Sequence, residues 1–312
     1  MRTLLILLAL LFAAPAAAEI PQEWKFSVHD AKGALVNDPS PAPVREGLQA
    51  LPSLPAEEQG TVRCVDVGGE KVVALTFDLC ELATSTTGCD MELLGWLREQ
   101  GVPATLFMGG KWMRTHKSRA VQIMLEPLFE IGSHAWTHGN FGIMKEDAMR
   151  AQILGVEAEY ALLREEALKK AAEQGMERDI PAVPALFRLP YGRCSDAALA
   201  MLAEHGLQVI QWDVTAELGK DNARPEVARA AARLIKPGSI VLMHANLVPK
   251  GTAGLVRNLV EELRRQGWSF ACVSDLLNRG RPVRVREGYF VTPGDNLALD
   301  GKFGIDGTGR KK

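Results

Sequence analysis

The chain alternates between short apolar runs and longer stretches with helical spacing. Apolar, β-compatible runs fall at residues 72–78, 103–108, 129–135, 185–191, 208–214, 238–244 and 268–274. Each has the length and the β-branched or aromatic content of a strand covered on both faces. The segment from Asp90 to Gln100 opens on an acid and stops before Gly101, a cap signal at each end of a helix. From about 145 to 175, Met149, Ile153, Val156, Tyr160 and Leu163 recur at steps of four and three, the face of a helix packed on a core. Further helices fit 119–129, 195–205, 224–235 and 254–266. About seven strands alternating with helices predict a parallel α/β fold, open or closed into a barrel.

The ends of the chain follow neither pattern. Residues 1–18 join a basic start at Arg2 to an apolar run from Leu4 to Ala14 and the small residues Ala16, Ala17 and Ala18. That is a secretory signal peptide, with cleavage near Ala18, and the run is too short to serve as a stable membrane span. The protein is therefore expected to be exported, to the periplasm or beyond. Residues 19–66 are interrupted by Pro21, Pro39, Pro41, Pro43, Pro52 and Pro55 and read as a proline-rich arm. The α/β domain then runs over 67–280, and 281–312 is a Gly- and Asp-rich, strand-poor extension.

Composition narrows the partners. A formal net charge of -2 gives no footprint for nucleic acid. Export favours oxidised cysteines. Cys64, Cys80, Cys89, Cys194 and Cys272 are thus expected to form one or two disulfides with a thiol left over, and a staple among Cys80, Cys89 and Cys194 is favoured.

In parallel α/β folds chemistry gathers where the strands end. Here the first strand ends on Asp78 and the third on His134, with His138 following. The fourth carries Arg188 and Tyr191, the fifth ends on Asp213 and the sixth on His244. Three of the six histidines sit at these ends. His134 and His138 suit a divalent metal, and with one carboxylate they form a catalytic zinc set with an open position. Asp78 suits a general base acting on water and His244 a general acid to the leaving group. Arg188 can orient Asp78, and the backbone N–H of Tyr191 can face a developing oxyanion. Trp136 and Trp212 are candidates to line a sugar-binding cleft.

The ordered set TFD, HAWTH, RLPYG, WDV and LMH resembles the five motifs of polysaccharide deacetylases of the NodB-homology, carbohydrate esterase 4 type, over residues 70–277. The resemblance implies a distorted (β/α) barrel, a divalent metal such as zinc, and hydrolysis of N- or O-acetyl groups on a polysaccharide or cell-wall glycan. It implies Asp78 as base, His244 as acid, His134 and His138 as metal ligands, Arg188 as the residue tuning the base, Tyr191 as backbone oxyanion donor and Leu242 in the acetyl pocket.

Two departures from that pattern matter. The family's first motif has a second acid, the third metal ligand, where this chain has Leu79. The replacement is either Glu81 or Asp90, with Asp90 preferred for its shorter, stiffer arm. Against that, Glu81 reads equally as a solvated loop acid and Asp90 as a helix N-cap. The family also has an acid where this chain has Thr215, which leaves Asp213 as the substitute partner for Arg188 or His244. Two other functions stay open: an inactive glycan-binding relative, motivated by Leu79, and an exported C–N hydrolase acting on a small amide or imide.

Overall fold

The computed structural model describes residues 35–40, 45, 48 and 50–306. The signal peptide and residues 19–34 of the arm lie outside the described residues. Among those described, no helix is long and apolar enough to cross a membrane.

The predicted strands become β2 (Val72–Leu79), β3 (Ala104–Met108), β4 (Phe129–Ser133), β5 (Leu186–Phe187), β6 (Gln208–Ile210), β7 (Val214–Thr215), β8 (Ile240–His244) and β9 (Ser269–Phe270). Two strands lie where none is expected. β1 (Thr61–Asp66) closes the arm, and β10 (Arg281–Val285) opens the C-terminal extension. They pair antiparallel, and β1 continues the sheet through a parallel pairing with β6. Neither shows clean alternation. A register shift interrupts β1 between Val62 and Cys64, and β10 carries Pro282, which an edge strand tolerates.

The sheet runs β10-β1-β6-β5-β4-β3-β2-β8-β7, with β9 on β2. Every pairing except β1–β10 is parallel. The expected strand 208–214 is broken at Gln211–Asp213, so β6 pairs with β5 and β7 with β8. One chain segment thus bridges both sides of the curled sheet, giving a distorted (β/α) barrel.

The α-helices among the described residues are α1 (Met91–Glu99), α2 (Gly110–Thr115), α3 (Lys117–Met124), α4 (Glu146–Glu173), α5 (Asp196–Glu204), α6 (Pro225–Leu234), α7 (Thr252–Arg265), α8 (Val273–Arg279) and α9 (Ala298–Phe303). The strand's period of two divides β2 between two cores. Val73, Leu75, Phe77 and Leu79 pack outward with Leu94, Leu97, Leu255 and Leu259 of α1 and α7. Val72 and Ala74 face inward with Leu186, Trp212 and Leu242. That alternation decides what the strand end delivers.

Candidate active site at the strand ends

Asp78 occupies the inward face of β2, directly beside His244 of β8 in the parallel register. Its carboxylate is buried, and Oδ1 accepts a 2.9 Å hydrogen bond from Nη1 of Arg188. Arg188 is itself fully buried. It donates through Nε to the carbonyl of Ile210 (3.1 Å) and through Nη2 to that of Gln211 (3.2 Å), and its guanidinium lies 4.0 Å from the centroid of the Phe107 ring. The end of β6 and the break that follows it therefore supply the carbonyls that hold the arginine. Burial lowers the pKa of Arg188 and the Asp78 charge opposes that shift, but an arginine keeps its charge.

His134 follows β4 and is buried. Its Nδ1 lies 2.8 Å from the carbonyl of Arg188, so that nitrogen carries the proton and donates it. The lone pair is left on Nε2, which is buried without a hydrogen-bond partner and lies 3.5 Å from Oδ2 of Asp78. His138 stands 4.9 Å from the His134 ring, and its Nδ1 is likewise buried without a partner. Burial holds both imidazoles below the usual histidine range, His138 well below with His134 and His244 adding to the effect. Both are neutral near pH 7, as ligands must be.

The His138 ring meets Tyr191 edge-on at 4.4 Å. Both residues sit in the left-handed region, each with φ of 57°. Strain of this kind persists only where the surroundings hold it, and the C-terminal segment does so. Phe303 of α9 stacks on Tyr191 at 4.9 Å, and Asn296 donates to the Tyr191 carbonyl at 2.9 Å. Asp300 takes two hydrogen bonds from Arg193 (2.8 and 2.7 Å) and one from Asn140 (2.9 Å). The extension, read from its Gly and Asp content as strand-poor, is an integral wall of the site.

His244 has a partner that the sequence motifs do not indicate. Glu217 Oε2 lies 2.6 Å from His244 Nδ1, and Oε1 accepts from the backbone N–H of His244 (3.1 Å) and the hydroxyl of Thr252 (2.6 Å). Burial disfavours the imidazolium, but the Glu217 hydrogen bond and charge outweigh it, so the His244 pKa is raised. Asp213, expected to partner Arg188 or His244, does neither. Its oxygens accept from Ser239 Oγ (2.8 Å) and the N–H of Ile240 (2.9 Å), at the start of β8. His244 ends that strand four residues later, about 13 Å away at strand rise. The acid missing at Thr215 enters instead two residues on, after β7 has ended.

The candidates for a third ligand are sorted by the same alternation. Leu79 points into the outer core, and Glu81 continues on that outer side. Its carboxylate meets Lys111 Nζ (2.8 Å), the Thr115 hydroxyl (2.8 Å) and the N–H of Thr87 (2.8 Å), with the His116 ring 3.4 Å away. Asp90 accepts from the N–H of Leu93 and caps α1. Neither acid is brought to the histidine pair. Cys80, on the inward side with Asp78, is: its sulfur and one nitrogen each of His134 and His138 all lie within 4.8 Å of one another, a group that could hold a metal ion. All five cysteines are free thiols, so the expected staple among Cys80, Cys89 and Cys194 is not formed.

Leu242 is buried on β8, two residues before His244 and on the same face. Trp136 and Trp212 do not line a cleft. Trp136 is packed against Gly110 and Gly155 beneath the Arg114 guanidinium. Trp212, 2% exposed, lies between Phe290 and the guanidinium of Arg63.

Residues 66–210 match the polysaccharide deacetylase family. The chain is 30% identical over 187 residues to a chitooligosaccharide deacetylase of Bradyrhizobium, covering 59% of this chain and 75% of that protein. It is 28% identical over 225 residues to a peptidoglycan-N-acetylglucosamine deacetylase of Bacillus cereus, covering 71% and 95%. A solved structure of a carbohydrate esterase family 4 pseudoenzyme from Bacillus anthracis superimposes with a TM-score of 0.56 at 22% identity, covering 72% of this chain and 70% of that one. The last likeness carries the fold alone.

Proposed function

From the premise that the chain belongs to the polysaccharide deacetylase family, we propose that it is an exported, metal-dependent deacetylase that hydrolyses N- or O-acetyl groups of a cell-wall or chito-oligosaccharide glycan. The observation that carries this reading is the adjacency of Asp78 and His244 across the β2–β8 ladder, beside two imidazoles whose free nitrogens are buried without partners.

The two donor nitrogens fit a divalent ion such as zinc, and His134 and His138 would hold it. That ion would supply Lewis-acid polarisation of the acetyl carbonyl. Asp78, fixed by Arg188, accepts the proton of the attacking water. The backbone N–H of Tyr191 faces the oxygen that gains charge, and Leu242 lines the space for the acetyl methyl group. His244, whose imidazolium Glu217 favours, gives its proton to the departing amine or hydroxyl of the sugar. The products are acetate and the deacetylated glycan.

The deciding assay measures bound metal in the mature protein and acetate released from chito-oligosaccharide and peptidoglycan, with Asp78→Asn as control. Release that is metal-dependent and lost in Asp78→Asn supports the reading. Metal-loaded protein that releases no acetate from any acetylated glycan overturns it in favour of an inactive glycan-binding relative or a small-amide hydrolase.

A further inference from the structure

We propose that Cys80 is the third protein ligand of the metal centre, so that the ion is held by one thiolate and two imidazoles where the family pattern uses a carboxylate. This rests on the metal-dependent reading above, but its test is separate.

The register of β2 comes first. Side chains at positions 78 and 80 point to one face and those at 79 and 81 to the other. The neighbours agree. Leu79 is in the outer core, Glu81 meets Lys111 of α2, Asp78 meets Arg188, and the Cys80 sulfur lies with His134 and His138. Of the two inward positions, 78 carries the base held by Arg188, and the group that could hold an ion includes position 80 and not 78.

The geometry comes second. In a tetrahedral zinc site, bonds of about 2.3 Å to sulfur and about 2.0 Å to nitrogen put ligand atoms about 3.6 Å apart. The three donor atoms lie within 4.8 Å of one another, so closing around an ion asks for a contraction of at most about 1–1.5 Å. His134 is 1% exposed and presents an unpartnered Nε2, its tautomer fixed by the bond from Nδ1 to the Arg188 carbonyl. A hydrogen bond from the other ring nitrogen orients metal-binding histidines generally.

The setting of the sulfur comes third. The Cys80 carbonyl accepts from Thr87 Oγ1 (3.0 Å) and Asn246 Nδ2 (3.0 Å), which pins the backbone. The same Asn246 amide lies 3.6 Å from Sγ, where its N–H can donate to a thiolate. The three carboxylates near the strand end have other partners, Asp78 in Arg188, Glu81 in Lys111 and Asp90 in the α1 N-terminus. Ion binding forms the metal–sulfur bond and releases the thiol proton to solvent. A thiolate carries the same single charge as a carboxylate, but it is softer and favours zinc or cobalt over magnesium or calcium.

Cobalt(II) provides the test. The full chain loaded with one cobalt ion should show a near-ultraviolet sulfur-to-cobalt charge-transfer band. Cys80→Ser, checked for folding by circular dichroism, should lose that band, and Cys80→Asp should bind one ion per chain without it. X-ray absorption on the zinc form should show one sulfur among the nearest atoms at about 2.3 Å. Cobalt or zinc bound without a sulfur neighbour overturns the assignment, as does a band that survives in Cys80→Ser or a wild-type chain that binds neither ion. If Cys80→Ser does not fold, the wild-type spectrum and the Cys80→Asp variant still decide. Sulfur ligation without acetate release would leave the assignment standing and remove the deacetylase reading; acetate release without sulfur ligation would do the reverse.

Discussion

Glu217 Oε2 lies 2.6 Å from Nδ1 of His244, while Oε1 accepts the backbone N–H of the same residue. This double hold fixes the tautomer and orientation of the imidazole and raises its pKa. A general acid must be protonated to act, so activity should fall as pH rises through the His244 pKa. Glu217→Gln keeps the shape and removes the charge. The alkaline limb of the kcat profile should therefore move to lower pH, by about one unit if the lost stabilisation is about 1.4 kcal/mol. A limb that stays in place would mean that His244 is not the titrating acid.

Arg188 is enclosed, so its removal should affect both stability and rate. Arg188→Ala leaves the Asp78 carboxylate buried without its cation and frees the carbonyls of Ile210 and Gln211. Breaking a buried pair in this way costs about 3–5 kcal/mol, readable as a fall in the urea midpoint. Arg188→Lys retains the charge but cannot span three acceptors at once. It should recover part of the stability while kcat stays at least about tenfold down, as measured by acetate release.

Several of these relationships were legible in the sequence, and the reasons differ. Strand ends mark where side chains of an α/β fold converge, so Asp78, His134, Arg188 and His244 could be gathered from apolar runs alone, and they do meet. Glu217 could not be gathered that way, because it follows a two-residue strand on a loop and no periodicity points at it. Glu81 and Asp90 were attractive as acids near the missing ligand, but charge alone does not say which face a residue takes. The period of two along β2 does say it, and extending it past Leu79 separates Cys80 from Glu81. β1 and β10 were hidden by a register shift and a proline. The C-terminal wall depends on contacts between residues more than a hundred positions apart, such as Tyr191 with Phe303.

Glu81 and Lys111 form an ion pair in which neither side chain is exposed. Glu81→Gln leaves the ammonium without its counter-charge, and the expected loss is about 3–5 kcal/mol. Replacing both partners, Glu81→Leu with Lys111→Met, removes the charges together and should restore most of that stability. Chemical denaturation of Glu81→Leu, Lys111→Met and the double variant gives the coupling. In folded Glu81→Gln the bound metal should remain at one ion per chain, since the carboxylate faces α2 and not the histidines. Loss of metal with the fold intact would instead make Glu81 a ligand.

The stacking of Phe303 on Tyr191 places the C-terminal segment against the candidate site. Tyr191 holds a left-handed backbone, and its carbonyl is taken by Asn296. Removing the ring in Phe303→Ala frees one side of Tyr191 without touching Asp78, His134 or His244. An aromatic pair is worth about 0.5–1.5 kcal/mol beyond buried area, so kcat/KM should drop by about two- to tenfold while the metal content is unchanged. Asp300→Asn weakens the two charged hydrogen bonds from Arg193 that anchor the same helix, and it should shift kcat/KM in the same direction. Steady-state assays on a short chito-oligosaccharide separate the possibilities. A rise in KM alone would place the segment against bound substrate, whereas a fall in kcat would mean that the Tyr191 backbone has lost its alignment. Wild-type values for both variants would show that the C-terminal wall packs beside the site without serving it.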